Sequence, residues 1–287
     1  MLRKLTHFLG LVRFSHTLFA LPFALASLFW ASRGWPDFKV FCLVLLCMVT
    51  CRNAAMAFNR LADAAIDARN PRTARRHLPA GVLGRGEVIA FFAINGVVFL
   101  AATWFLNSLA FLLAVPTLVA VCFYSLTKRF TSWSHLFLGA AIGISPAGAW
   151  IAARGTLDAE PVLLSLSLLA WIAGFDVIYA AQDEKFDRET GLNSLVVRYG
   201  RTGALRISLL LHTVFIALLI AMEYLFRLGL PFQVAIGIAA CLIFYLHLFR
   251  RSDSLDSMNQ DFFLANIAVS VVIFAGLATA VFLKQWV

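Results

Sequence analysis

Charge is what this sequence has least of. Only 15 of its 287 residues are acidic and 24 basic, so 14% of the chain is charged while 61% is hydrophobic; a soluble domain carries about a quarter charged residues. So few charges cannot cover so much apolar surface. With a mean hydropathy of +0.85, a soluble enzyme and a disordered chain are both excluded. Cysteine is also sparse. Cys42, Cys47, Cys51, Cys122 and Cys241 all fall in apolar stretches without CxxC or Cys/His spacing, which leaves them as small packing residues and asks for no disulfide or zinc site. The first apolar run lacks a small-x-small cleavage site and reads as a retained helix, not a cleaved leader. Alternating strands of about ten residues are missing too, which excludes an outer-membrane barrel. What remains is an all-α polytopic membrane protein. Its net charge of +9 then reports topology first and implies no nucleic-acid partner.

Runs of about 17 to 25 apolar residues can cross a bilayer core. Nine are predicted, roughly at 15–32, 40–62, 87–106, 108–126, 134–153, 161–182, 205–226, 230–249 and 263–283. Pro116 and Pro146 fall inside spans as tolerated kinks. The basic residues divide unevenly between the two sides. Arg3, Lys4, Arg13, Arg52, Arg60, Arg69, Arg72, Arg75, Arg76, Arg85, Lys128, Arg129, Lys185, Arg188, Arg198, Arg201, Arg206, Arg250 and Arg251 sit on one side. Only Arg33, Lys39, Arg154, Arg227 and Lys284 sit on the other. The positive-inside rule places the amino terminus and the rich side in the cytoplasm of a bacterial-type inner membrane, and the carboxyl terminus outside.

The acids gather on that same cytoplasmic side, in two places. Asn59, Asp63 and Asp67 follow i, i+4, i+8 at the end of the second span; Asp176, Tyr179, Asp183 and Asp187 follow i, i+3, i+7, i+11 at the end of the sixth. Each set would share one helical face. Like charges this close repel unless a cation reconciles them. Two carboxylate stripes on facing helices suit Mg²⁺, which takes one or two carboxylates and leaves its remaining positions to water and phosphate. A solvated helix end paired with its own arginines would explain one such stripe, but two of them four spans apart, each followed by a basic segment, fit it poorly. The segment Arg69–Gly81, rich in Pro, Gly and Asn, is predicted as a structured turn. With Tyr124-Ser125-Leu126-Thr127-Lys128-Arg129 it supplies the cations that a metal-bridged diphosphate needs at its leaving oxygens. The pattern predicts a diphosphate site at the cytoplasmic mouth of a helical bundle.

Asn59-Arg60-x-x-Asp63-x-x-x-Asp67, the following Asn70…Thr73…Arg76-x-Leu78-Pro79-x-Gly81, and Asp176-x-x-Tyr179-x-x-x-Asp183-x-x-x-Asp187 together resemble the UbiA superfamily of intramembrane prenyltransferases, especially its 4-hydroxybenzoate polyprenyltransferase members. The resemblance spans the chain and implies one domain over residues 1–287, built of two acid-bearing units at roughly 1–130 and 131–287. It implies nine helices around a central cavity open to lipid, and Mg²⁺-dependent transfer of a polyprenyl group from its diphosphate to an aromatic acid in quinone biosynthesis. Carried over residue by residue, Asn59, Asp63, Asp67, Asp183 and Asp187 would hold the Mg²⁺–diphosphate. Arg72, Arg76 and Lys128 would contact phosphate, Tyr124 would line the site, and Arg52 also matches the pattern. Asp176 and Tyr179 would stand nearer the reacting carbons, and Arg13 would hold an acceptor carboxylate. The acceptor is expected to be 4-hydroxybenzoate. The alternative is 1,4-dihydroxy-6-naphthoate, because Arg13-Phe14-Ser15-His16 replaces R-x-D-K and Asn59-Arg60 replaces Asn-Asp, as in a subgroup linked to the futalosine route to menaquinone.

His135, like His7, His212 and His247, is expected only at a membrane boundary or in packing. No obligate protein partner is inferred. A secondary transporter is the rival from another class, but it would carry acids near the midplane and inverted repeats. Here the acids lie at helix ends on one side, in units of the same orientation.

Overall fold

The computed structural model describes residues 7, 8, 10, 11, 17–249 and 255–284, and every regular element in it is helical. In chain order the main helices are α1 (Thr17–Ser32), α2 (Phe38–Arg69), α3 (Arg85–Trp104), α4 (Ser108–Thr127), α5 (Ser134–Arg154), α6 (Ala159–Ala180), α7 (Glu184–Thr190), α8 (Leu195–Phe226), α9 (Leu230–Phe249) and α10 (Leu255–Leu283). Arg13, with Arg3, Lys4, His16, Arg250 and Arg251, lies outside the described residues.

Helices lie at the predicted apolar runs. Among the described residues, seven helices are long and apolar enough to cross a membrane: α2 to α6, α8, and the Phe263–Leu283 part of α10. α1 and α9 are apolar as well, with 16 and 20 described residues.

The polar residues between the spans set where the helices begin and end. Asp37 caps α2 by accepting from the Lys39 and Val40 amides at 2.9 and 3.2 Å. Asn107 caps α4 through the Ala110 amide at 2.9 Å, and its own amide reaches the Ile151 carbonyl on α5 at 2.7 Å. Ser194 caps α8. At the other end of α5 the chain leaves through Gly155 in the left-handed region, φ 70°, where a side chain would be strained.

Packing joins the two acid-bearing stretches into one bundle. α5 lies along α6, α6 along α8, and α1 runs between α5 and α10, while α2 packs on α3 and α4. Lipid gives no hydrophobic drive between helices, so close contact must come from shape. Gly139 and Gly143 provide it: a Cβ there would sit 2.5 Å from the Leu169 carbonyl oxygen and 2.9 Å from that of Ser165 on α6. Phe23, Trp171, Phe215 and Phe232 are fully buried beside this seam, Trp171 stacked on Phe215 with centroids 5.7 Å apart.

One predicted stripe is broken. Asn59, Asp63 and Asp67 do share the single helix α2. Asp176 through Asp187 do not share one, because α6 ends at Ala180 and α7 begins at Glu184. Between them the amides of Ala181, Gln182 and Asp183 bond three residues back, to Ile178, Tyr179 and Ala180. The tightened turn re-aims Asp183 and Asp187 relative to Asp176 and Tyr179.

Candidate active site

The end of α2 is tied down by basic residues from two loops. Asp63 is 2% exposed. Its carboxylate accepts from Lys128 Nζ at 2.6 Å and Arg129 Nη2 at 3.1 Å, and Asn59 Nδ2 lies 3.3 Å away. Arg129 also holds the Ala62 and Ser125 carbonyls at 2.7 and 2.9 Å, fixing α4 to α2. Asp67, 4% exposed, takes both its bonds from Arg76 Nη1 at 2.8 Å. The 70–84 connection folds back as predicted: Asn70 Oδ1 accepts the Arg72 amide at 2.9 Å, and Thr73 Oγ1 reaches the Asp67 carbonyl at 3.1 Å.

That same connection grips the second stretch. Asn70 Nδ2 donates to Asp183 Oδ1 at 3.2 Å, and Arg72 clasps both oxygens of Asp183, Nε to Oδ1 at 2.8 Å and Nη2 to Oδ2. Asp187 sits beside Asp183 with its carboxyl pushed up to about 6, first by burial and then by the Asp183 charge, against the opposing pull of Lys128, Arg72 and His135. Lys128 therefore bonds Asp63 in one row and acts electrostatically on Asp187 in the other. Deeper in, Asp176 Oδ2 lies 2.7 Å from His135 Nδ1.

These groups form the head of a cavity of about 760 Å³, a size suited to a small-molecule site. Asn59, Arg60, Arg72, Tyr124, Lys128, His135, Asp176, Tyr179, Asp183 and Asp187 line it at the acid end. Phe99, Leu106, Leu113, Ile142, Ile151 and Leu157 belong to its apolar remainder. Along α5 the lining runs from Ser134 to Ala152, roughly 27 Å of helix axis. Arg52 also faces the cavity, two turns inside Asn59, and its Nε is buried without a hydrogen-bond partner.

Asn59, Arg52, Arg72, Tyr124, Lys128, Asp176, Tyr179, Asp183 and Asp187 thus line one cavity. Asp63, Asp67 and Arg76 stand behind that lining, Asp63 touching it through Lys128 and Asn59. Three residues have a place here that the sequence did not give them. His135 is no boundary or packing residue: it is 3% exposed and bonded to Asp176. Arg129, in sequence only part of a basic segment, shares Asp63. Asn70, in sequence only a motif residue, joins the two rows. Spacing could not reveal these, since each contact crosses between distant elements.

A membrane-embedded helical bundle whose hollow is ionic at one end and apolar along the rest is built for an amphiphile with a charged head. Residues 20–267 match the UbiA prenyltransferase family, and the chain belongs to that family. It is 31% identical over 262 residues to the 4-hydroxybenzoate octaprenyltransferase of Vibrio atlanticus, covering 91% of each chain. A 4-hydroxybenzoate octaprenyltransferase from Nitrosomonas eutropha is also 31% identical, over 88% of this chain and 87% of its own. Among solved structures, a UbiA homolog from Aeropyrum pernix K1 superposes with a TM-score of 0.83 at 32% identity, over 92% of this chain and 97% of that one. A homolog from Archaeoglobus fulgidus, solved bound to GPP and Mg²⁺, shares the fold at TM-score 0.73 and 19% identity, over 95% and 99%.

Proposed function

We propose that this prenyltransferase moves a polyprenyl group from its diphosphate to an aromatic acid, 4-hydroxybenzoate, with Mg²⁺ and with its acid end facing the cytoplasm. The observation that carries the reading is the two-part cavity: cations and carboxylates at its head, and an apolar channel behind them for a tail too greasy for water.

The residues fit Mg²⁺. Among the described residues no three His, Cys, Asp or Glu side chains converge as a closed metal cage, but Mg²⁺ with a diphosphate needs only one or two carboxylates per ion. The donors are hard oxygens, and the Asp187 carboxyl, pushed up first by burial and then by the Asp183 charge, marks a place where added positive charge is favourable. Asn59, Asp63, Asp67, Asp183 and Asp187 would hold the ions. When bound, Mg²⁺ supplies charge neutralisation on the leaving diphosphate.

The chain's own residues do the rest. Arg72 and Lys128, paired with Asp183 and Asp63, exchange those carboxylates for phosphate oxygens, and Arg76 steadies Asp67 at the edge. The allylic C–O bond breaks with its electrons on the diphosphate, and the ring carbon ortho to the acceptor hydroxyl bonds the prenyl carbon. Tyr124 and Tyr179 wall off water that would otherwise quench the allylic cation. Arg52, which lines the cavity, takes the acceptor carboxylate, with Arg13 as a second candidate. Curated relatives named for 4-hydroxybenzoate support that acceptor. The Asn59-Arg60 pair, with Arg60 in the cavity wall, favours 1,4-dihydroxy-6-naphthoate as the second reading.

The test is to incubate membranes holding the protein with radiolabelled polyprenyl diphosphate, Mg²⁺ and each acid. A lipid-soluble aromatic product that disappears with EDTA is expected; no product with either acid would overturn the reading.

A further inference from the structure

His135 stands at the start of α5 with its side chain 4% exposed, against the 30% exposed side chain of Asp176 on α6. Its two ring nitrogens are both engaged. The Leu195 amide, near the start of α8, points at Nε2 from 3.4 Å, and Nδ1 lies 2.7 Å from Asp176 Oδ2. A backbone N–H can only donate, so Nε2 carries the lone pair and the ring proton sits on Nδ1, aimed at the carboxylate. His135 is the hydrogen-bond partner that holds Asp176, and the chain Leu195 N–H, His135, Asp176 runs from the buried bundle to the cavity wall. Asp176 is a carboxylate beyond the diphosphate grip, and among the described residues its hydrogen bond is at Oδ2.

We propose that His135 is a positioning residue: it locks Asp176 through Oδ2 so that Oδ1 accepts the hydroxyl of the aromatic acceptor. This rests on the prenyl-transfer reading above and assigns the acceptor's oxygen a partner within it. As the ring carbon bonds the prenyl carbon and the C–O bond to diphosphate breaks, positive charge spreads to the acceptor hydroxyl. Asp176 takes the hydroxyl proton, leaving a neutral dienone. The proton on the substituted carbon passes to the departing diphosphate, and the Asp176 proton returns to the oxygen, so atoms and charge balance. A charge-assisted bond to a buried donor is what gives a lone carboxylate one fixed direction.

Two near-isosteres separate the ring's two ends. Asparagine places an N–H where Nδ1 was, and glutamine places its amide near Nε2, leaving Asp176 without its donor. Steady-state kinetics are measured with each substrate varied. H135N is expected to keep kcat within about threefold of wild type. H135Q is expected to lose about tenfold or more in kcat and to raise the acceptor KM, while the prenyl diphosphate KM stays within about twofold. In a D176N background, H135Q should add less than about twofold, since the two residues act as one unit.

Equal behaviour of H135N and H135Q, a parallel shift of both KM values, or full additivity with D176N would overturn the proposal. So would an H135N protein that no longer gains heat stability from prenyl diphosphate, because His135 would then be holding the fold. A wild-type protein that transfers no prenyl group brings down the underlying reading instead, an outcome visible before any variant is made.

Discussion

Asn70 donates its side-chain amide to Asp183 across 3.2 Å of space and 113 residues of sequence. It stands at the C-cap of α2, and Asp183 is the N-cap of α7, so the bond closes the first acidic unit onto the second. Arg72, two residues on, completes the clasp. The two rows of acids therefore meet at one place, with Lys128 between them.

Replacing Asp63 or Asp183 by asparagine keeps the shape and removes the charge. Each variant is expected to lose about a hundredfold or more of the transfer rate, the scale seen when one preorganised electrostatic partner is removed from a reacting centre. Radiolabelled product formation measures it.

Lys128 is the cation that touches both rows, through Asp63 and the Asp187 charge. Lys128→Met is expected to raise the KM for prenyl diphosphate by about tenfold or more, with a smaller change in the acceptor KM, as for a lost charge-assisted contact. Steady-state kinetics with each substrate varied would show it.

The Asp187 carboxyl, pushed up to about 6 by burial and then by Asp183, sets a pH dependence. A raised carboxyl pKa means that the ligand-free protein holds this proton below about pH 6, and a bound divalent cation must expel it. The Mg²⁺ concentration for half-maximal rate should be flat above about pH 7 and rise as pH falls through 6, by up to about tenfold per pH unit for one proton. Without metal the sign for stability is opposite. This group favours the fold at low pH, and that contribution fades as pH rises through about 6. Asp187→Asn should flatten both trends, read by Mg²⁺ titration and by melting in EDTA.

Gly139 allows α5 to touch the α6 backbone, where a Cβ would meet the Leu169 carbonyl oxygen at 2.5 Å. Gly139→Leu should lower the melting temperature in detergent, the cost being on the order of 1–3 kcal/mol or more for an overpacked seam. At Gly148 a Cβ would meet nothing within 4 Å, so Gly148→Ala should melt close to wild type.

The helices were legible because apolar runs of span length leave few alternatives, and the grouping of Asp63, Asp67, Asp183 and Asp187 with Arg72 and Lys128 was legible because their spacings repeat. The break at Ala181–Asp183 was hidden: no Gly or Pro announces it, and a four-residue spacing continues through a turn that re-enters a helix. His135 was out of reach of sequence reasoning because its meaning lies in Asp176, 41 residues away.

The most direct test is to locate the cation. Crystals soaked with Mn²⁺ and a non-hydrolysable prenyl thiodiphosphate would show manganese by its anomalous scattering. Density bridging the thiodiphosphate to both the Asn59–Asp63–Asp67 row and the Asp183–Asp187 row is expected. Manganese on one row alone, or a thiodiphosphate bound away from both, would contradict the shared site.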